Sequence, residues 1–438
     1  MRNSSSTLRS VKAVGSLSIA MSALAFAGCS NSEAHPFFTA EPTIAEVRSI
    51  DPADTSFADL ERLQQSIGNA RIVLLGEQTH GEGGTFLAKT RLIKFLHQRM
   101  GFEVLAFESG FYDCARIWEN TMNGGSFENE VKGSLFYMYA NSKQMQPLFS
   151  YIQSASTRSR PLTVTGFESQ HSGAKAIGQL FGDFENFLRN FDAASLDASW
   201  ENFKQVSIAT FKARTYRPSD TEKQQFSAKL AALKRLLSSY EKEQAGKLLL
   251  SPGFWYRVVA SIESQTSRYW GLVTGNEVSV RDKQMAENLI WLAEHAYPGR
   301  KIIVWAHNTH IAKQTNELAF VKPNSALYFF STFEPMGSTV GKHFGEQSYA
   351  IGFTSSEGKF VNYTNDMILD IPSPVQESIE GRFHNTRYSN AFADLRKAKR
   401  WWRSTQTANL YDFQAMSGDW STVFDGIFYI RKNFQADR

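Results

Sequence analysis

Cysteine is scarce in this chain: two among 438 residues, Cys29 and Cys114. That excludes a fold held by a disulfide framework and leaves a hydrophobic core as the source of stability. An excess of charge of one sign is also missing. Lys and Arg total 47 against 43 Asp and Glu, a formal net charge of +4, too little over this length to attract a nucleic-acid partner. The sequence has no Gly-x-Ser-x-Gly nucleophile elbow, no His-Glu-x-x-His zinc helix, no Walker loop and no Gly-x-Gly-x-x-Gly fingerprint. Gly81-Glu-Gly-Gly84 is glycine-rich but has the wrong spacing to cradle phosphate. There is no internal repeat. Apolar content is ample, with 42% hydrophobic and 13% aromatic residues, enough for a large α/β core and against disorder.

The N-terminus reads as an export signal. Arg2, Arg9 and Lys12 form a basic start, and residues 13–28 carry no charge. This run is too short to span a bilayer, which takes about 20 apolar residues. Ala25-Phe-Ala-Gly-Cys29 resembles a bacterial lipobox, so residues 1–28 are expected to be removed and Cys29 to be lipidated. Residues 29–44 then form a tether to an envelope membrane, and the mature chain is nearly neutral. Cys114 is left unpaired and is expected as a small buried residue of a helix.

Four apolar runs of strand type organise the rest. Ile72–Leu75 leads to Glu77 and His80, and Val104–Phe107 to Glu108. Leu162–Thr165 leads to Glu168 and His171, and Ile302–Trp305 to His307 and His310. Each run is of the kind that forms a strand buried on both faces. Each hands over an ionisable residue at its carboxyl end, which is where open parallel α/β sheets bind ligands. One such residue could be an ordinary turn group. Four together point to a shared site.

Between these runs the periodicity is helical. Residues 41–70 are expected as a helix, with Phe57, Leu60, Leu63 and Ile67 apolar. In the helix that follows His80, Phe86, Ile93, Leu96 and Met100 share a face. Lys89 falls on that face too, either snorkelling to its edge or holding an anionic or polar group. Further helices cover 110–121 and 143–157, joined by an aromatic loop around Phe136–Tyr139. Residues from about 175 to 270 lack strand-like runs and read as an inserted helical subdomain, broken at Ser251-Pro-Gly253. Its aromatics, among them Phe254, Trp255, Tyr256, Tyr269 and Trp270, are either core or a lid. A helix at Asn276–Tyr297 precedes the fourth strand; Gly337–Phe344 suits a short helix, and Ser348–Thr354 and Asp425–Arg431 suit strands. This βα alternation predicts a mainly parallel central sheet flanked by helices.

With no serine or cysteine nucleophile in view, an activated water is the natural reagent. A carboxylate beside an imidazole can orient it and raise its basicity for that task. A second histidine can support the developing oxyanion or the leaving group. His307 and His310, with Glu77, His80 and Glu108, also have the chemistry of metal ligands, and the residues alone leave that open.

Leu75-Gly-Glu-Gln-Thr-His-Gly81, Gly101–Glu108, Arg281-Asp-Lys-Gln-Met-Ala286 and Val304-Trp-Ala-His-Asn-Thr-His310 resemble the erythromycin esterase family. The likeness continues through Gly345–Phe353 and the closing 425–431 strand, covering roughly residues 45–433. It implies an α/β core with a helical insertion over a deep cleft, and hydrolysis of an ester or lactone without metal or cofactor. Glu77, His80, Glu108 and His307 match the family's catalytic constellation, with His80 as the proposed general base. Lys89, Arg91, Glu168 and His310 complete the expected substrate-binding set. Lys89 stands where the family commonly has Arg, which loses bidentate geometry, with Arg91 nearby. Glu168 stands where Asp is common. The substrate implied is a macrolide or another lactone or ester. The competing class is a non-hydrolytic envelope-binding or polysaccharide-biosynthesis protein that uses the same cleft.

Overall fold

The four apolar runs lie side by side because each strand must bury both faces, and only neighbouring strands and covering helices can satisfy it. The computed structural model describes residues 44–242, 247–322 and 330–438. Its main sheet contains β1 (Ile44–Val47), β2 (Ile72–Leu75), β3 (Phe102–Gly110), β4 (Thr163–Glu168) and β5 (Lys301–Trp305). A two-residue strand, β6 (Ala319–Phe320), belongs to a second sheet. β7 (Ser348–Val361), β8 (Ile368–Asp370), β9 (Asn390–Asp394), β10 (Gln406–Tyr411), β11 (Gln414–Gly418) and β12 (Gly426–Asn433) follow.

The order across the main sheet is β1-β9-β12-β7-β2-β5-β3-β4, with β8 hydrogen-bonded to β7. From β12 to β4 every neighbouring pair is parallel. β9 runs antiparallel to both β12 and β1. β10, β11 and β6 form the small antiparallel sheet. In register, Leu75 on β2 pairs with Trp305 on β5, and Phe107 on β3 pairs with the same Trp305. Leu75, Phe107 and Trp305 therefore lie at one level. That alignment carries Glu77, Glu108 and His307 to a common edge.

Residues 41–70 depart from the expected single helix. Ile44–Val47 is a strand paired with β9, and the α-helix is confined to Glu61–Ile67. The Asp51-Pro52 turn interrupts the helical spacing, and Ile44 and Val47 bury themselves against the sheet instead. Apart from Ile44, the expected 29–44 tether lies outside the described residues. The 1–28 leader and the Cys29 lipidation site lie outside the described residues.

The inserted subdomain is helical as expected, with helices at Ala174–Phe191, Trp200–Lys212, Asp220–Ser238 and Pro252–Tyr269. Ser251 caps the last of these by accepting from the Phe254 amide, with Pro252 in the first turn. Trp255 is fully buried and stacks on Phe184 with ring centroids 4.5 Å apart. Phe254 is likewise buried, so these rings are core. Cys114 is buried as well. No helix among the described residues is long and apolar enough to cross a membrane.

Candidate active site

Gly76 ends β2 where no side chain fits: a Cβ there would run into the Asn308 side chain. The chain then turns and buries Glu77 completely. Four donors surround its carboxylate. Oε1 lies 2.6 Å from His80 Nδ1 and accepts from the Tyr139 hydroxyl at 2.7 Å. Oε2 accepts from Lys89 Nζ and from Trp305 Nε1, each at 3.0 Å. Burial works to raise the Glu77 pKa, but Lys89, His80 and Tyr139 together hold it below the ordinary value. The carboxylate is therefore ionised and fixed.

An ionised Glu77 accepts the Nδ1 proton of His80, which assigns the tautomer and leaves Nε2 with the free lone pair. Nε2 makes no hydrogen bond to a described residue, and His80 lines a cavity of about 780 Å³. Phe136 and Tyr363 stand edge-on to its ring at 4.9 and 4.8 Å. The imidazole of His307 is 5.1 Å away, centroid to centroid.

Glu108 divides its two oxygens. Oε2 accepts from the His307 amide at 2.8 Å, while Oε1 meets Arg281 at 3.0 Å and His310 Nε2 at 3.1 Å. Burial opposes ionisation, yet His310 and Arg281 keep Glu108 well below the usual carboxylate range. Glu168 is held down too, because Arg281 donates to it through Nε at 2.8 Å and outweighs burial. His310 Nδ1 lies 2.8 Å from Asp282. Burial would lower its pKa, but Asp282 and Glu108 push it up to about 10, so it is an imidazolium at neutral pH. The 2.9 Å approach of Arg281 Nη1 to His310 Nε2 is then a contact of two cations. Glu108, Glu168 and Asp282 hold them together.

Of the eight side chains expected at the site, six converge: Glu77, His80, Glu108, Glu168, His307 and His310. Five of these line the cavity and Glu77 stands behind His80; Lys89 and Arg91 do not line it. Lys89 has no exposed surface; it sits behind Glu77, with its ammonium 4.1 Å from the Trp305 ring centroid. It binds a protein carboxylate rather than substrate. Arg91 points to the other side of the same helix and pairs with Asp59 at 2.8 Å and Asp54 at 3.3 Å. It cannot replace the missing guanidinium at position 89, since residues two apart on a helix do not share a face.

Sequence reasoning missed Tyr139, Trp305, Arg281, Asp282 and Asp412 as parts of the arrangement. Arg281 and Asp282 belong to a motif already noted, and their adjacency was the available signal. Asp412 gives none: it sits in the β10–β11 turn and reaches the cavity only through tertiary folding. Of the two readings of the subdomain's aromatics, the lid is not seen: Phe254, Trp255, Tyr256, Tyr269 and Trp270 do not line the cavity. The rings on the cavity wall are Phe136, Tyr137 and Tyr363, and the helical subdomain's contribution is Arg214. The Tyr137 hydroxyl donates to the Tyr363 carbonyl across the rim.

Residues 97–432 match the erythromycin esterase family, most of the chain's length. The chain belongs to that family. Family membership points to a hydrolase. Among its relatives, the putative hydrolase YbfO of Bacillus subtilis (strain 168) is 24% identical over 408 residues, covering 87% of this chain and 88% of that protein. Erythromycin esterase type II of Escherichia coli is 23% identical over 406 residues, covering 87% and 94%. The crystallised open conformation of a mutant of the erythromycin esterase EreC superposes with a TM-score of 0.67 at 18% identity, covering 90% of this chain and 99% of that one. That likeness shows the shared fold: a mostly parallel sheet with helices.

Proposed function

We propose that this member of the erythromycin esterase family hydrolyses a carboxylic ester or lactone with water activated by His80. The observation that carries the reading is the 2.6 Å contact between His80 Nδ1 and the fully buried Glu77, with the other ring nitrogen free at the cavity. In this reading His80 Nε2 takes a proton from water as the water oxygen adds to the carbonyl carbon. Negative charge develops on the carbonyl oxygen and is stabilised by the cationic wall of His310 and Arg281, with His307 beside it. As the intermediate collapses, the carbon–oxygen bond to the leaving group breaks and His80 returns the proton to that oxygen. The products are an alcohol and a carboxylic acid, the latter ionising to solvent. For a lactone the two remain in one molecule.

The reading needs neither metal nor cofactor. Among the described residues no three His, Cys, Asp or Glu side chains converge as metal ligands. The Glu77 carboxylate is already taken up by His80, Tyr139, Lys89 and Trp305. The test is hydrolysis of a panel of macrocyclic lactones, smaller lactones and simple esters by purified protein, with and without exhaustive chelation. Turnover that survives chelation and is lost in His80→Ala is the expected result. Activity abolished by chelator and restored by Zn²⁺ would turn the same side chains into ligands.

The same proposal includes export to the cell envelope and anchoring through lipid on Cys29, motivated by the uncharged 13–28 run that ends in Ala-Gly-Cys. Mass spectrometry of the protein from membranes should find a mature chain beginning at a diacylated Cys29. An unmodified Cys29 in a soluble chain would overturn the anchor.

A further inference from the structure

The small sheet enters the site at one point. Its β10–β11 turn carries Asp412 and Phe413, two consecutive non-glycine residues at positive φ, +45° and +58°. Hairpin turns of this shape favour Asn-Gly or Asp-Gly, and a bulky aromatic in the left-handed region is an outlier. Such strain persists only where the surroundings over-determine it, and it collects at functional sites. Here the Phe413 ring stacks on Phe360 with centroids 4.5 Å apart, pinning the turn from outside. On the inner side, the Asp412 amide donates to the Gln78 carbonyl at 2.9 Å.

That carbonyl has a second donor. His307 Nε2 lies 2.9 Å from the same oxygen. Gln78 belongs to the turn that delivers Glu77 and His80, so one oxygen ties the base-bearing turn, the His307 ring and the β10–β11 turn together. The Asp412 carboxylate then stands 3.6 Å from His307 Nε2, on the cavity wall.

The other side of the His307 ring is built for either protonation state. Thr309 places its hydroxyl oxygen 2.9 Å and its amide nitrogen 3.1 Å from Nδ1. The hydroxyl can accept from a protonated nitrogen, and the amide can donate to a bare one. What decides between them is charge nearby. Asp412 and Glu108 face the ring as anions, His310 opposes them at 6.4 Å between centroids, and His80 lies at 5.1 Å.

We propose that Asp412 is a positioning residue of the hydrolytic site. It ties the His80 turn to His307 through the Gln78 carbonyl, and its carboxylate sets a negative charge 3.6 Å from His307 Nε2, favouring positive charge on that ring beside the reacting carbonyl. The proposal rests on the hydrolytic reading above. His307 exchanges no proton in this scheme, since both its ring nitrogens are engaged by Gln78 and Thr309; the proton of the attacking water travels to His80 and from it to the leaving oxygen. No further reagent is needed.

Asp412→Asn separates charge from architecture, because Asn tolerates the left-handed turn and keeps the backbone donor. Two measurements are made on full-length protein. The first is an NMR titration of the His307 imidazole nitrogens in the resting protein, which requires no substrate. The second is kcat and KM for whichever ester the wild type turns over. The expected result is a His307 titration at lower pH in Asp412→Asn, with unchanged thermal stability, a kcat at least about 10-fold lower and a KM within about threefold. Asp412→Glu, which restores the charge on a longer arm, should recover part of both the titration and kcat. An unchanged His307 titration overturns the proposal even if no substrate is ever found. A shifted titration with wild-type kcat also overturns it, by removing the catalytic consequence. Failure of the hydrolytic reading would appear separately, as wild-type protein inactive on every ester with the His307–Asp412 coupling intact.

Discussion

Lys89 Nζ and Glu77 Oε2 are 3.0 Å apart, and neither side chain has any exposed surface. Removing one partner of such a pair leaves an uncompensated buried charge, a loss of about 3–5 kcal/mol. Lys89→Met is therefore expected to lower stability by about that amount and to cut kcat, because Glu77 then ionises at a cost and no longer fixes the His80 tautomer. Chemical denaturation and steady-state kinetics on the same preparation check both parts. A stable, fully active Lys89→Met protein would remove Lys89 from the site.

Arg91 predicts the opposite split. Its guanidinium joins Asp59 and Asp54 to the helix Gly83–Met100 and also donates to the Ser49 carbonyl at 2.8 Å. Arg91→Met should destabilise strongly, again by about 3–5 kcal/mol. The folded fraction should retain kcat/KM within about twofold, measured well below its melting temperature, because no contact of Arg91 reaches the cavity. A selective rise in KM would reinstate it as a substrate ligand.

Asp113 gives a pH-dependence with a definite sign. It is fully buried, accepts from the Ala176 amide at 3.0 Å through one oxygen, and has no hydrogen bond on the other. Burial pushes its pKa up from 3.8 to about 7. Between those values the native state binds more protons than the unfolded state, so this group makes stability fall as pH rises from about 4 to about 7. Asp113→Asn should flatten that part of the pH–stability curve and gain relative to wild type above pH 7. Denaturant midpoints at intervals from pH 4 to 8 provide the comparison. Parallel curves for the two proteins would show that Asp113 is ionised in the fold.

The glycines that bracket the Glu77–His80 turn are there for space. A Cβ at Gly76 would strike Asn308 Oδ1, and one at Gly81 would strike the Val361 carbonyl. Asn308 donates to the Phe353 and Leu410 carbonyls at 2.8 and 2.7 Å, so displacing it loosens β7 and β10 together. Gly76→Ala and Gly81→Ala are each expected to reduce both stability and kcat by disturbing that turn. Retention of wild-type melting temperature in either would mean that the turn can yield.

Much of this arrangement was legible in the chain. Four apolar runs ending in ionisable residues identified β2, β3, β4 and β5, and the parallel sheet brings their ends to one cavity. Period and length carried the helical insertion and the closing strand as well. What was illegible depended on direction or on distant pairing. Lys89 and Arg91 look interchangeable two positions apart, yet a helix turns them to different sides. Ile44-Ala-Glu-Val47 is broken by Glu46 and makes no continuous apolar run, and its partner Asn390–Asp394 lies near the other end of the chain. Asp412 sits in a Tyr-Asp-Phe-Gln turn with no glycine, so nothing local marks the bend that brings it to His307.

The parallel pairing of β2 with β5 also bears on how the protein becomes active. Gln78 and His307 share a hydrogen bond although they stand 229 positions apart in the chain. Contacts between residues so distant form late, since the entropy of closing the intervening loop must be met before they contribute. Either half of the site, folded alone, holds His80 without His307 or His307 without His80. On the proposed hydrolytic reading, neither half alone would turn substrate over. Recovery of turnover after refolding would time the closure of β5 against β2 rather than the formation of any single helix.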